Sequence, residues 1–183
     1  MYGPPVDLSC KAMQCVADAL LELPRSGLRP LNTTADNKYL SRSLRLSYNN
    51  VTDLDGLQDT LSHFLAQPLK LAWLDLSFNK LIHITPVRLR SFLQELRVLY
   101  LHGNQIGQLS EVDKLVQLQH LHTITLHGNA IENCKGYRWR PPFLYLSTTM
   151  DFSAVTPEDR VLANVWRHST NRSKSSKDSK PAH

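Results

Sequence analysis

Four short stretches of the chain alternate apolar and polar residues and then reach an asparagine. They read SRSLRLSYNNV from residue 41, LAWLDLSFNKL from residue 71, LRVLYLHGNQI from residue 96 and LHTITLHGNAI from residue 121. The asparagines are Asn49, Asn79, Asn104 and Asn129, so the pattern recurs at intervals of 30, 25 and 25 residues. A period of this size is typical of a repeat protein whose similar units stack side by side.

Within each repeat, the alternation predicts a short β-strand with one apolar face. The inward-facing pairs are Leu44 with Leu46, Leu74 with Leu76, Leu99 with Leu101, and Ile124 with Leu126. The asparagine follows where the chain turns away, and its amide can pair with backbone groups that the ended strand leaves unbonded. We therefore predict a ladder of asparagine side chains along the array.

The segments between strands are expected to return along the opposite face. After the first strand, apolar residues recur at helical spacing and stop before a proline, which predicts a helix; they are Leu57, Leu61, Phe64 and Leu65. The next two returns are shorter and favour helical turns. Near the amino terminus, Ser9 is expected to cap a helix over 10 to 23 with one apolar stripe, followed by a loop from 24 to 40. That stripe contains Met13, Val16, Ala17, Leu20 and Leu21.

The four segments resemble leucine-rich repeats. In addition, KGYR (135 to 138) and TTMDFSAVTPEDR (148 to 160) are similar to the carboxyl-terminal cap of the phosphatase-regulator-like class of that family. The resemblance implies an α/β solenoid with short parallel strands on its concave face, helices and turns on its convex face, an amino-terminal helix and a carboxyl-terminal cap. It divides the chain into a capping helix with lead-in loop (1–40), four repeats (41–134), the cap (135–168) and a basic tail (169–183).

The cap motif also implies structural roles for individual side chains, namely Tyr137, Arg138, Asp151 and Arg160, the last pairing with Asp151 or Asp159. Thr156 is expected to begin a helix in which Pro157 takes the first position and Asp159 completes a capping box. The apolar residues of that helix are expected to close the last repeat; they are Val161, Leu162, Val165 and Trp166. Two positions depart from the motif. Ala130 stands where a proline is usual, and Pro141-Pro142 predicts a short or broken helix after Tyr137.

The outward-facing strand positions form rows, because parallel strands lie roughly 4.8 Å apart. Those of the right chemistry for partner binding are Arg45, Trp73, Asp75, Tyr100, His102, Thr125 and His127. Tryptophan, tyrosine and arginine are the residue types that dominate interface energetics. The alternative is that these side chains are merely tolerated at a surface. His102 and His127 should be neighbours, but two imidazoles fall short of the three or four ligands of a zinc site, and no metal is expected.

Composition narrows the function classes. The formal charge is +5, but residues 167 to 183 hold five arginines and lysines against one aspartate and supply +4 of it, so nucleic-acid binding by the folded body is not favoured. The tail itself is expected to be disordered. The three cysteines have no disulfide or zinc spacing, and no catalytic or phosphate-binding motif occurs, so no enzyme, cofactor or small-molecule substrate is expected. MYGPPVDLSCK lacks the pattern of a signal peptide, and no stretch approaches ~18 apolar residues, so we expect a cytoplasmic chain without a membrane span.

Further motifs occur along the chain between residues 27 and 168, among them GLRPL, EVDKL and DFSAVTPEDR. In these the chain resembles small intracellular, non-enzymatic repeat proteins of motile cilia and flagella. The resemblance implies a scaffold whose partners are axonemal or tubulin-associated proteins. Two alternatives remain open at this point: a regulatory subunit that docks on an enzyme such as a protein phosphatase, and a ribonucleoprotein component.

Overall fold

The strands of the protein form one sheet in the order of the sequence. The structure is a computed structural model that describes residues 2–84, 89–138 and 147–165. In this part of the chain the sheet has seven strands, β1 to β7. They are Val6–Asp7, Ser43–Arg45, Trp73–Asp75, Val98–Tyr100, Thr123–Thr125, Thr149–Met150 and Ser153–Ala154. Neighbours pair in parallel from β1 to β6, and only β6 and β7 are antiparallel. The predicted α/β solenoid is confirmed.

The register between strands puts equivalent repeat positions side by side. Ser43, Trp73, Val98 and Thr123 are successive Cα partners in β2 to β5. The same holds two residues on for Arg45, Asp75, Tyr100 and Thr125. The rows predicted from the repeat pattern are confirmed, and a side chain on one repeat therefore has a fixed neighbour on the next.

The core lies between the sheet and the returning segments. The inward pairs of the four repeats are all buried, with Leu44, Leu46, Leu76, Ile124 and Leu126 having no exposed surface. Burying such a side chain contributes about 1.5–3 kcal/mol relative to leaving it in water. Since each repeat covers the apolar edge of the one before, this stabilisation belongs to the array and not to any single unit.

The convex side is built from short helices. Helix α1, Leu57–Phe64, occupies the first return, as predicted, and buries Leu57, Leu61 and Phe64. The later returns are shorter: α2 is Leu89–Phe92 and α3 is Leu109–Asp113. Further 3-10 helices are Pro68–Lys70, Lys114–Gln117 and Ala130–Asn133.

The helix expected over 10 to 23 is not present in that form. A strand, β1, comes first, and only Val16–Leu21 is helical, as a 3-10 helix. Between them the backbone takes positive φ at Cys10 (56°) and Ala12 (57°), which an α-helix excludes. Leu21, expected in the buried stripe, is 89% exposed.

A side chain from the neighbouring repeat explains this departure. Asn49 Oδ1 accepts hydrogen bonds from Lys11 N at 2.9 Å and Met13 N at 3.3 Å, so these amides are tied to β2 and its turn. Ser9 Oγ donates to Asp7 Oδ1 at 2.6 Å and does not cap a helix. The amino terminus is thus a degenerate repeat, VDLSCK against LRLSYN, with Lys11 at the asparagine position.

At the carboxyl end the described chain is helical over 157 to 165, and we call this helix α4. Its predicted capping box is confirmed, because Asp159 N donates to Thr156 Oγ1 at 3.2 Å and Thr156 N donates to Asp159 Oδ2 at 3.1 Å. Its predicted packing is wrong: the buried residue is Ala163, whereas the valine and leucine side chains are 47–62% exposed. Those exposed side chains are Val161, Leu162 and Val165. Trp166, Pro141-Pro142 and the tail from 169 to 183 lie outside the described residues.

Candidate protein-interaction surface

Arg45 lies at the amino-terminal part of the concave face and joins three strands. Its Nη1 is 3.5 Å from Asp7 Oδ2 on β1, and its Nε is 3.4 Å from Asp75 Oδ2 on β3. The guanidinium also lies over the Trp73 ring, 5.4 Å from its centre. Asp75 is held in turn by Ser77, whose backbone N and Oγ donate to Asp75 Oδ1 at 3.0 and 2.6 Å. The cation is thereby fixed in place, while its side chain stays 38% exposed.

Aromatic rings continue the surface towards the carboxyl end. Trp73 meets Tyr100 edge to face, with centroids 5.5 Å apart. Tyr100 contacts Phe152 in the same way at 5.6 Å, and Phe152 is 62% exposed. Such pairs stabilise each other by about 0.5–1.5 kcal/mol beyond the area they bury. The result is a run of ordered apolar side chains along the middle of the concave face.

His102 and His127 form a stacked pair beside these rings. Their planes are 7° from parallel, and their centroids are 4.7 Å apart. His102 Nδ1 shares a hydrogen bond with Thr125 Oγ1 at 2.7 Å, and His127 Nδ1 donates to Asp151 Oδ1 at 3.1 Å. Burial lowers the pKa of His102, and the neighbouring His127 lowers it further. The lowered pKa favours the neutral form of the His102 ring.

Thr125 was predicted to face a partner, but it lies beneath the surface. It has no exposed surface, so its hydroxyl serves to hold His102. Asp75 is also buried, at 7% exposure, and acts through Arg45. The other five concave-face residues predicted from sequence are half-buried, namely Arg45, Trp73, Tyr100, His102 and His127.

Three further aromatic residues on this surface have no counterpart in the predicted set. Tyr48 and Phe78 stack at 4.5 Å, and Phe78 meets His102 edge to face at 5.1 Å. Tyr48 and Phe78 each precede the asparagine of their repeat and take positive φ, 57° and 53°, an uncommon conformation for bulky residues. The sequence did contain a signal for these two residues, because the position before the asparagine is Tyr, Phe, Gly and Gly in the four repeats, and glycine there indicates a positive φ. The third, Phe152, lies in the β6–β7 turn, which the repeat period does not reach.

The same position explains the glycine of the repeated His-Gly-Asn. Gly103 has φ of +68°, and a Cβ added there would lie 2.7 Å from Phe78 Cδ1. The Phe78 ring thus occupies the volume that a side chain at residue 103 would need. Gly128 has φ of +69° and faces the backbone of Gly103.

The asparagines connect each repeat with the one before it. Asn79 Nδ2 donates to Leu46 O at 2.9 Å and Leu76 O at 3.1 Å, and its Oδ1 accepts from Val51 N at 3.1 Å. Asn104 and Asn129 bond in the same way, to Leu81 N and Ile106 N through Oδ1. Asn49 bonds to the amino-terminal segment, through the amides of Lys11 and Met13. The ladder keeps the strand ends, and the concave side chains on them, in fixed register.

The cap residues surround Asp151, whose carboxylate replaces a backbone carbonyl as the acceptor for the amides at the end of β5. Asp151 Oδ1 accepts from Leu126 N at 2.6 Å and His127 N at 3.0 Å, while Tyr137 OH donates to Oδ2 at 2.6 Å. Burial acts to raise the pKa of Asp151, but these hydrogen bonds outweigh it and the pKa lies below its ordinary value. Burial and the adjacent carboxylate raise the pKa of Tyr137.

The cap arginines hold the chain around this carboxylate. Arg138 Nη2 is 3.4 Å from Asp159 Oδ2 and from Ala154 O. Arg160 Nη2 donates to the carbonyl of Ser147 at 3.0 Å, so this arginine, like Arg138, holds a backbone carbonyl of the cap.

Over residues 2–84, 89–138 and 147–165, no three histidine, cysteine, aspartate or glutamate side chains are grouped as metal ligands. In the same ranges, none of the helices has the length and apolar character needed to cross a membrane.

Comparison with known proteins identifies the family to which the chain belongs. No protein-family model matches it. In fold it is similar to a chain of the crystal structure of the Drosophila melanogaster SNF/U2A' complex, with a TM-score of 0.66 and 21% identity over 97% of this chain and 91% of that one. In sequence it is 48%, 46% and 44% identical to leucine-rich repeat-containing protein 51 of Mus musculus, Rattus norvegicus and Homo sapiens, each over 165 residues. These matches cover 90% of this chain and 85% of each relative, and the protein therefore belongs to the leucine-rich repeat-containing protein 51 family.

Proposed function

We propose that the chain is a non-enzymatic scaffold that binds a segment of another protein on its concave face. The observation that carries this proposal is the connected run of Arg45, Trp73 and Tyr100. These residue types dominate binding energies at interfaces, and here they are ordered before any partner arrives. A side chain that is already fixed loses less rotamer entropy on binding, a saving of about 0.5–1.5 kcal/mol for each.

The geometry of the histidine pair supports binding over catalysis. His127 and Asp151 have the arrangement of a base and its orienting carboxylate, and such a base needs a nucleophile or substrate within hydrogen-bond reach. Within the described residues, the rings beside His127 are those of His102 and Phe152, and neither carries the hydroxyl or thiol group that such a base would deprotonate. We therefore assign the pair to the contact surface.

A capture experiment tests the concave-face proposal. Tagged wild-type protein and the double variant Trp73→Ala/Tyr100→Ala are compared in pull-downs from ciliated tissue, with the recovered proteins quantified. Each truncation of an interface anchor costs about 2 kcal/mol or more, so recovery should fall by more than tenfold. The control is Leu69→Ala/Ile82→Ala, which removes two exposed apolar side chains elsewhere on the array (59% and 46% exposed). Equal recovery by all three proteins would overturn the proposal.

We further propose a cytoplasmic protein of motile cilia or flagella with axonemal or tubulin-associated partners. The support is the sequence resemblance, and the identity of the captured proteins is the test. Recovery of phosphatase subunits would favour the regulatory-subunit alternative. The ribonucleoprotein alternative draws on the fold neighbour from Drosophila, which was solved in a complex with SNF. Deletion of residues 169 to 183 separates binding by the basic tail from binding by the concave face.

A further inference from the structure

Two cavities adjoin at the amino-terminal end of the concave face. The larger, about 640 Å³, lies between β1 and the loop of residues 24–31. The smaller, about 380 Å³, reaches Trp73. Arg29, Arg45, Pro4 and Pro5 line both cavities. Because proline has a fixed φ, the backbone at Pro4 and Pro5 is restricted. Since the two cavities share these lining residues, one extended segment can contact both.

Charge differs between the two cavities. Arg45 is already engaged by Asp7 and Asp75. Arg25 and Arg29 line the larger cavity and form no ion pair with a carboxylate of the described chain. Arg25 is held at the rim because its backbone N donates to Asp7 O at 2.7 Å. The larger cavity therefore presents both Arg25 and Arg29, neither of them ion-paired within the described chain, whereas the smaller one shares Arg29 and adds the indole ring of Trp73.

We infer that the bound segment carries an acidic side chain that Arg25 and Arg29 contact, next to an apolar or aromatic side chain that packs against Trp73 in the smaller cavity. This inference rests on the proposed concave-face function and names the chemistry of its partner. Guanidinium groups bind carboxylates through paired N–H donors, and the aromatic cavity supplies the apolar contact.

A peptide fits this surface better than a nucleic acid does. Asp7 lines the larger cavity, and Asp75 lies beside Arg45. A nucleic-acid backbone, with a phosphate at every nucleotide, would therefore meet two carboxylates that repel it as well as the arginines. The formal charge points the same way. Of +5 in total, residues 167 to 183 supply +4, which leaves +1 for the rest of the chain. Strong nucleic-acid binding needs several unopposed cations along one face.

The test uses the full chain as bait for phage-displayed random dodecapeptides, followed by affinity measurement on the selected peptides. We expect enrichment of Asp or Glu adjacent to Phe, Trp or Leu. The variant Arg25→Glu/Arg29→Glu should bind the selected peptides about tenfold more weakly, mainly through slower association, and with a flatter salt dependence. The matched control Lys70→Glu/Lys80→Glu reverses two exposed charges that line neither cavity, and it should bind like the wild type.

A charge swap guards against a misfolded variant. Peptides in which the selected acidic residue is replaced by Lys should bind Arg25→Glu/Arg29→Glu better than they bind the wild type. The inference is overturned if no peptide is selected, if the selected peptides lack acidic residues, or if the arginine variant binds as well as the control. Tighter binding of an oligouridine RNA that the arginine variant loses would assign the cavities to nucleic acid. If Trp73→Ala/Tyr100→Ala abolishes peptide binding while the arginine variant does not, the concave-face function stands and only the acidic specificity fails.

Discussion

Replacing Gly103 with alanine should be among the most damaging single-methyl changes in this protein. The backbone there has φ of +68°, where a residue with a Cβ costs about 1–2 kcal/mol. The new methyl would also lie 2.7 Å from Phe78 Cδ1 and 2.9 Å from Cε1. Forcing such a ring aside typically costs a further 1–3 kcal/mol. We therefore expect Gly103→Ala to lower the free energy of unfolding by about 2–5 kcal/mol, a large share of the usual 5–15 kcal/mol.

Urea unfolding followed by circular dichroism measures this effect, and a double-mutant cycle separates its two causes. In a Phe78→Ala background the overlap is gone, so Gly103→Ala should cost only the left-handed contribution of about 1–2 kcal/mol. Gly107→Ala is the control, because an added Cβ there meets nothing within 4 Å. If the two costs in the Phe78→Ala cycle simply add, then the ring does not determine the need for glycine and our reasoning is wrong.

Two further predictions concern the ladder and the cap. Asn79→Ala leaves the buried Val51 N without its acceptor and removes a donor shared by Leu46 O and Leu76 O, so we expect a loss of about 2–4 kcal/mol in urea unfolding. The exposed Asn32→Ala is the control and should change the stability little. Asp151 has a folded-state pKa below its unfolded value of about 3.9. Its contribution is therefore present above that pH and is lost as the pH falls through the folded pKa. Asp151→Asn should accordingly flatten the loss of stability below about pH 4; an unchanged acid limb in thermal melts would contradict this.

The parts of the fold that the sequence predicts are those governed by the repeat. The leucine alternation specifies strands β2 to β5 and their register, because a slip of one residue would turn every leucine outward. The amino terminus escapes prediction for a physical reason. Met13 and Val16 have helical spacing, but the amide of Met13 is bonded to Asn49 of the next repeat, and such a tertiary contact overrides a local pattern.

The candidate surface was predictable in outline but not in detail. Arg45, Trp73 and Tyr100 follow from the outward positions of the strands. Whether an outward position is exposed does not follow, because it depends on the neighbouring rows: Thr125 is covered, whereas Tyr48 beyond the strand end is 56% exposed. Phe152 joins the surface only because the chain reverses in a left-handed turn at Asp151, with φ of 50°, and a repeat pattern carries no information about that reversal.

The carboxylate at the end of the sheet also limits how copies of this protein can associate. In earlier repeats, the strand-end amides of Leu46, Leu76 and Leu101 donate to backbone carbonyls of the next strand. At the last full repeat, Leu126 N donates instead to the side chain of Asp151, and the chain then reverses into the antiparallel β7. An open edge of unpaired amides is a template on which other chains polymerise, and here that template is already occupied. The edge strand at this side is then the two-residue β7, and so short an edge offers little backbone for strand addition by another copy.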